Sequence, residues 1–361
     1  MNQRKIFSIS MVKNEADVIE SFVRYNLNIL DGMVILDHYC TDNTVAILKK
    51  LIDEGLPIVL WHAVDVEHNQ NKTMTTLMYK TFKKFQPDII IPLDADEFLA
   101  VDDGTTHPRT LLDELDDGII YRIHWKTYFP HEKDDATALF IPQKMHHCID
   151  GVNHTQEMHK VLIFKSIAQK YGPSLSMGSH SLKISWRYKV KLPQKTLPFL
   201  RLAHFPLRSL DQLKSKIFVS QINGLSRMDL KKGQSFHIRN LFEKLKKDPQ
   251  NVSCRDLQRF VADSYFPGIN LACFRLKYDP LTLPFSTSLN IKYTTFNEIN
   301  YLKNVLENCT VLAKRYAELK REKYSLTKTA MSVFSVINGL AKQLITQRIL
   351  GFNRDVDKYQ L

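Results

Sequence analysis

The first hundred residues alternate between two hydrophobic rhythms. Residues 5–12, Lys-Ile-Phe-Ser-Ile-Ser-Met-Val, read as a strand. Val18, Ile19, Phe22, Val23, Ile29 and Leu30 then recur at helical spacing. Met33-Val34-Ile35-Leu36 is a second short strand, and Val45, Leu48, Leu51 and Ile52 form the inner face of a helix that Thr41 or Asp42 is expected to cap. Residues 57–61 predict a third strand. Met74, Leu77, Met78, Phe82 and Phe85 mark a third helix. Residues 88–93 predict a fourth strand, which closes on Asp94-Ala95-Asp96-Glu97. This order predicts an α/β fold with a mostly parallel sheet and helices on both faces.

Further along, the rhythm shortens. Residues 119–125, 160–164, 179–184 and 200–204 predict strands separated by loops rich in His, Pro and Gly. Beyond about 207 helical spacing dominates. Residues 301–324 read as a charged amphipathic helix, and 327–345 carry an apolar stripe (Ala330, Val333, Phe334, Ile337, Leu340, Leu344) beside Lys328, Lys342 and Arg348. The expected organisation is one domain over 1–225, with halves 1–99 and 100–225, followed by a mainly helical region over 226–361.

Composition narrows the class. With 361 residues, 44% hydrophobic and 24% charged, the chain is globular rather than disordered. Its net charge of +12 favours acidic ligands or surfaces without choosing among them. Cys40, Cys148, Cys254, Cys273 and Cys309 are scattered, without a C-x-x-C pair, which argues against a disulfide framework or a structural zinc. The N-terminal apolar run is interrupted by Arg4, Lys5 and Lys13, and no stretch reaches 18 apolar residues, so the expected location is the cytoplasm.

Ligands on a parallel sheet bind outside the carboxyl ends of its strands. Polar clusters fall there at Lys13-Asn14-Glu15, 37–44, 65–71 and 94–97. On an extended segment Asp94 and Asp96 point the same way and can share a hard cation, which would neutralise a diphosphate leaving group. A solvated acidic turn is the plainer reading of such a cluster, but uncompensated carboxylates at one strand end repel. Asp37, at the end of a strand, can accept a hydrogen bond from a nucleotide base. Turn-and-cap chemistry is the competing reading of 37–44.

Ser10-Met11-Val12-Lys13-Asn14-Glu15, then 37–44, then Leu93-Asp94-Ala95-Asp96-Glu97-Phe98 resemble the three landmarks of family 2 glycosyltransferases. The Asp-Glu-Phe form and the later His204-Phe205-Pro206-Leu207-Arg208-Ser209 resemble a bacterial surface-polysaccharide or lipopolysaccharide branch. The resemblance implies a GT-A fold, Mn2+ or Mg2+, a nucleotide-diphosphate sugar donor with uridine as the base, and inversion at the anomeric carbon. It implies that Val12, Asn14 and Glu15 line the nucleotide pocket, that Asp37 meets the base, and that Asp94 and Asp96 hold metal and diphosphate; Asp65 and Gln70, in the polar cluster after the third strand, are further candidates for donor binding. His204, at a strand end, is the candidate third metal ligand, and Arg208, Lys214 and Lys216 after it are candidates to meet diphosphate; a structural histidine followed by a basic helix face is the competing reading. In the second motif Asn43 replaces the usual glycine, a residue that also tolerates a left-handed backbone.

The histidine-rich stretch His146, His147, His154, Glu157 and His159 fits neither H-E-x-x-H nor its inverse. Glu157, Asp150 and His180 are instead the candidates for the base that deprotonates an acceptor hydroxyl. Walker A, G-x-G-x-x-G and G-x-S-x-G sequences do not occur. The expected activity is metal-dependent transfer of a sugar to a glycan or lipid-linked acceptor. Metal-dependent nucleotidyl or phosphoryl transfer and nonenzymatic nucleic-acid binding are the competing readings. A lipid-linked acceptor would place the C-terminal amphipathic helix at the membrane surface, against the alternative that it packs internally or on a second copy.

Overall fold

The computed structural model describes residues 3–64, 69–102, 105–150, 158–225, 241–243, 245, 247, 252–266, 275–281, 289–295 and 300–345. Two compact units are present, Met1–Asn308 and Cys309–Leu361.

The larger unit begins with β1 (Ile6–Val12), α1 (Ile19–Asn26), β2 (Gly32–Asp37), α2 (Thr44–Asp53), β3 (Ile58–His62), α3 (Gln70–Phe85) and β4 (Ile89–Pro92). It continues through β5 (Glu97–Val101), α4 (Pro108–Asp113), β6 (Ile120–Phe129), α5 (Ile141–Lys144), β7 (His147–Ile149), β8 (His159–Val161) and β9 (Ile163–Phe164). Next come α6 (Lys165–Tyr171), β10 (Ser174–Leu175), β11 (Leu182–Lys183), β12 (Gln194–His204), α7 (Leu210–Leu225), α8 (Cys254–Tyr265) and β13 (Leu276–Tyr278). Helix α9 (Tyr301–Ile345) is continuous where the sequence pattern suggested two segments, and it starts in the larger unit and runs into the second. All six residues of the expected stripe, from Ala330 to Leu344, lie outside the described side chains.

The first sheet has the order β3-β2-β1-β4-β9, with β1, β2, β3 and β4 parallel and β9 antiparallel at the edge. Residues Met33 to Leu36 and Ile89 to Ile91 are buried on both faces, as strands covered by helices on each side must be. Register brings Val12 beside Asp37, and Asp37 beside His62, so three strands end level. The expected parallel α/β sheet is therefore present.

A second sheet runs β13-β7-β6-β12-β5, with β8 paired to β6. Strand β12 lies parallel to β6 and antiparallel to β5, where His204 stands opposite Glu97. Helices α7 and α8 enclose a separate core of Leu207, Leu213, Ile217, Phe260 and Val261 against Phe129. The side chain of Asn304 at the start of α9 donates to Ser215 Oγ at 3.0 Å.

Several expectations change. Residues 160–164 are two strands, because the chain leaves the second sheet after β8 and joins the first as β9. Most of 179–184 is not strand: Gly178 (φ 67°) and Ser179 (φ 57°) are left-handed, so a tight turn occupies 177–179 and His180 follows it. At α2 the N-cap position falls on Asn43, whose side chain makes no capping bond, so neither expected residue caps the helix; Asp42 accepts Thr44 N–H at 3.0 Å from one residue earlier, and Thr41 is bonded to Asn14. Asn43 has φ −76°, so no left-handed position exists there; Asn14 and Tyr39 take that conformation instead. No helix of the described residues is long and apolar enough to cross a membrane, and the four described cysteines are unpaired.

Candidate active site

The loops after β1 and β2 are latched together. The Asn14 carboxamide accepts Thr41 N–H at 2.7 Å and donates to Thr41 Oγ1 at 3.1 Å. Thr44 Oγ1 accepts Glu15 N–H at 2.8 Å, and Asp42 accepts Ala16 N–H at 3.1 Å. The Lys13 ammonium donates to the carbonyls of His38 and Tyr39. Burial pushes the Asp42 carboxyl above its ordinary range. These contacts convert two strand ends into one rigid wall, with Val12 buried behind it. Asp37 accepts Cys40 N–H at 2.8 Å through Oδ1, and its Oδ2 lies 2.9 Å from His62 Nδ1. A carboxylate has lone pairs beyond these two contacts, so base recognition by Asp37 remains open to it. Gln70 opens α3, and its side-chain oxygen accepts Gly178 N–H at 3.1 Å. Asp65 lies outside the described residues.

Asp94 and Asp96 are not on an extended segment. Glu97 N–H donates to the Asp94 carbonyl at 3.0 Å, a turn by which the chain passes from β4 to β5. Consequently the two carboxylates have different partners. Asp94, with 34% of its side chain exposed, lies 2.6 Å from the Lys160 ammonium. Lys160 also meets Glu97 at 3.2 Å, and Glu97 accepts Asp94 N–H at 2.9 Å. Glu97 is wholly buried, and burial, with the Asp94 and Asp96 charges, holds its carboxyl well above the ordinary range although Lys160 opposes this. For Lys160 itself burial acts downward, but Asp94 and Glu97 more than offset it and the net direction is upward.

Asp96 faces the other side. Its Oδ2 is 3.9 Å from His204 Nε2 and 3.8 Å from Arg208 Nη1. The His204 ring is stacked on Trp125 at 4.2 Å and met edge-on by Tyr265 at 4.8 Å, and Thr127 Oγ1 lies 3.2 Å from its Nδ1. Burial first, then the Lys216 charge, lowers His204 well below its ordinary range. Its imidazole is therefore neutral near pH 7, the form that ligates metals. A distance of 3.9 Å is too long for a hydrogen bond but suits a cation about 2.1 Å from each atom. Among the described residues no group of three or more His, Cys, Asp or Glu side chains surrounds a common metal position. One or two protein ligands with phosphate oxygens and water completing the shell is, however, a usual arrangement for a magnesium-type ion.

Arg208 has a different place from the one expected at a diphosphate. Only 1% of its side chain is exposed. Its guanidinium donates to Asp17 at 2.7 and 2.8 Å, to Glu15 at 2.6 Å and to the Phe205 carbonyl at 3.1 Å, with Asp96 next in line. Its donors are thus committed to the protein's own carboxylates, and it acts as a clamp that neutralises them. Lys214 and Lys216 are two apart on α7 and diverge. Lys214 meets Asp211 at 3.6 Å, whereas Lys216 is the cation turned toward Tyr265, Asp96 and Glu15. Burial raises the Glu15 carboxyl, with Arg208 acting against it and Asp96 and Asp17 with it.

Of the three base candidates, Glu157 lies outside the described residues. Asp150 is exposed after β7, where its N–H donates to the Arg275 carbonyl. His180 is nearer the carboxylates: burial lowers its imidazole, and Lys160 and Asp94 are among the charges it feels. Its Nδ1 is held by the His159 carbonyl, and its ring packs edge-on to Trp125. The histidine-rich stretch is split, with His146 and His147 against Tyr278, and His159 beside His124 and His180. Sequence reasoning did not single out Lys160, Asp17, Trp125 or Tyr265 as site residues, and none carries a local motif.

No protein-family model matches this sequence, and no curated protein matches it. Solved structures to which the fold is similar include residues 1–349 of Staphylococcus aureus TarS, at 12% identity over 68% of this chain and 73% of that one, with a TM-score of 0.35. Another is a mannosyltransferase from Pyrobaculum calidifontis in complex with GDP-Man and Mn2+, at 11% identity over 73% and 74% of the two chains and a TM-score of 0.36. A third is glucosyl-3-phosphoglycerate synthase from Mycobacterium tuberculosis with Mn2+, UDP and glucosyl-3-phosphoglycerate, at 17% identity over 64% and 82%, with a TM-score of 0.31. With TM-scores below 0.5, none of these likenesses bears on what this chain does.

Proposed function

We propose that this protein is a metal-dependent glycosyltransferase that moves a sugar from a nucleoside-diphosphate sugar to an acceptor hydroxyl. The observation that carries the reading is the pairing of Asp96 with the buried, neutral His204 across 3.9 Å, beside the latched loops after β1 and β2. A divalent Mn2+ or Mg2+ held there would neutralise the diphosphate and stabilise it as a leaving group. Asp96 and His204 would hold the cation, with Asp94, a third of whose side chain is exposed, on the same turn. Asn14, Glu15 and Asp37 form the wall against which the nucleotide lies, with uridine the base implied by the resemblance. Lys216 supplies positive charge toward the phosphates, while Arg208 keeps Glu15, Asp17 and Asp96 from repelling one another. A base from the acceptor side, drawn from His180, Asp150 and Glu157, takes the hydroxyl proton as the oxygen attacks in line, which inverts the anomeric carbon.

The sequence resemblance further supports a glycan or lipid-linked acceptor in surface-polysaccharide synthesis, with the C-terminal amphipathic helix at the membrane surface. Vesicle flotation with and without residues 325–361 tests that last point. Titration of Mn2+ and UDP tests the site directly. Metal-dependent nucleotide binding that is lost in both Asp96→Asn and His204→Ala, with folding intact by circular dichroism, is expected. Retention of full binding in either variant overturns the assignment. Release of nucleoside diphosphate, rather than pyrophosphate, on turnover separates glycosyl from nucleotidyl transfer.

A further inference from the structure

The positive charge of the chain is not spread evenly. Residues 158–210 contain no Asp or Glu and ten Lys or Arg. Lys160, Arg201 and Arg208 are inside, paired with carboxylates from elsewhere in the fold. Of the other seven, Lys165 is half-buried and six are exposed. Lys195 meets Asp116 only at 3.9 Å, and Lys183, Arg187, Lys189 and Lys191 have no carboxylate within 4 Å among the described residues.

The same run holds the exposed apolar groups. Ahead of α9, the large hydrophobic side chains left in water among the described residues are Val64, Tyr278 and five between 177 and 199. Three of these alternate with cations in the continuously exposed run Trp186-Arg187-Tyr188-Lys189-Val190-Lys191. Trp186 is 81% exposed. The run is held in shape: Tyr188 N–H donates to the Ser185 carbonyl, Lys189 N–H donates to the Trp186 carbonyl, and Lys189 is left-handed at φ 45°. Tyr188 packs edge-on against Tyr171, whose ring carries the Lys170 ammonium at 5.3 Å. Buried Leu192 anchors the exit toward β12.

Soluble surfaces rarely hold a tryptophan in open water among unpaired cations. Trp and Tyr interleaved with Lys and Arg is the composition of a segment that lies at the lipid headgroup level. We propose that the turn over 183–191 is an interfacial anchor, by which the protein docks on a bilayer bearing anionic lipid, with Trp186, Tyr188 and Val190 entering the headgroup layer and the cations meeting lipid phosphates. Charge complementarity selects anionic over zwitterionic lipid. The exposed aliphatic side chain of Val190 favours a lipid surface over a nucleic acid, which would use aromatic rings for stacking alone. This anchor is separate from α9 and does not depend on the glycosyl-transfer reading.

The test uses the full chain and phosphatidylglycerol–phosphatidylcholine vesicles, with pure phosphatidylcholine vesicles for comparison. Of three tryptophans, Trp61 is partly covered and Trp125 is buried, so insertion of Trp186 blue-shifts the emission and exposes it to quenching by bromine-labelled lipid. Binding to the anionic vesicles, weakened by salt, is expected. Arg187→Gln/Lys189→Gln/Lys191→Gln should weaken it on the order of a hundredfold, since each cation near an anionic surface contributes about fivefold. Trp186→Ala should remove the quenching and weaken binding on the order of tenfold. All these substitutions are at exposed positions, so thermal unfolding should not change. Vesicle binding that survives both variants places the membrane contact elsewhere and overturns the proposal. So does binding to a single-stranded oligonucleotide with no vesicle binding at all.

Discussion

Replacing Lys160 by Met removes the only ammonium within reach of Glu97 among the described residues, at a place where water cannot substitute for it. Asp94 loses the same partner, but a third of its side chain is exposed and can be resolvated. The cost therefore falls mainly on Glu97, whose Oε1 already has no hydrogen-bond partner. Breaking a buried pair from one side costs about 3–5 kcal/mol, and relief through Asp94 argues for the lower end, about 3 kcal/mol. For the unit Met1–Asn308, at about 2.1 cal/mol/K per residue, that corresponds to a fall of roughly 5 °C in Tm.

The loss depends on pH, and its sign follows from the upward shift of Glu97. A carboxyl raised in the folded state favours folding when protonated, and that contribution disappears as pH rises through its unfolded value of 4.5 toward the folded value. Without Lys160 the shift is larger, so the deficit of Lys160→Met should be small below pH 4.5 and larger at pH 8. Urea unfolding at both pH values measures it. Lys160→Met/Glu97→Gln should recover most of the loss, because Glu97 then leaves no unpaired charge behind. A single variant within about 1 kcal/mol of the parent at pH 8, or an equal deficit at both pH values, would refute the account of Glu97.

Gly178→Ala should destabilise the protein by roughly 1–2 kcal/mol for the left-handed backbone alone, and further because a Cβ there would stand 2.3 Å from His180 Nε2. Thermal unfolding of Gly178→Ala with and without His180→Ala checks this, and the second substitution should recover the steric part. Glu20 on α1 accepts the N–H groups of Lys292, Tyr293 and Thr294 at 2.9, 2.7 and 2.7 Å, and although burial acts upward these bonds and Arg24 hold its carboxyl below the ordinary value of 4.5. Its contribution is present above that value and is lost as pH falls through it, so hydrogen exchange at 292–294 should accelerate selectively in acid, and Glu20→Ala should reproduce this at pH 7 with a loss of roughly 1–3 kcal/mol.

The first sheet was legible because strands buried on both faces leave unbroken apolar runs such as Met33 to Leu36 and Ile89 to Ile91. The level ends of β1, β2 and β3 follow from that order, and the polar clusters at 13–15 and 37–44 meet there. Strand β5 was not legible, because Glu97 continues an acidic cluster and nothing in the residue types announces that the chain turns at Asp94 and restarts in another sheet. The same turn explains why the i, i+2 argument failed for Asp94 and Asp96: it holds on extended backbone only. Lys160 gave no signal, since a lysine in a short strand reads as solvated and its burial depends on carboxylates more than sixty residues earlier. Arg208 was recognised as a cation near the site, but its pairing with Asp17 is a contact across 191 positions that no local pattern encodes. Tyr265 reaches His204 from the second helical core, equally beyond local reading.

The register of β12 against β5 has a consequence for how the molecule is made. His204 is brought to Asp96 only because it stands opposite Glu97, and a slip of one residue would turn it to the other face of the sheet. Asp96 leaves the ribosome more than a hundred residues before His204. A nascent chain can therefore complete its parallel strands, and even pair Lys160 with Glu97, while still lacking half of the cation-facing pair. Joining it is a non-local closure of the kind that forms late in folding. A divalent ion bound there would accordingly leave the folding rate nearly unchanged and slow unfolding instead, so metal supplied during refolding and metal supplied afterwards should yield the same protein.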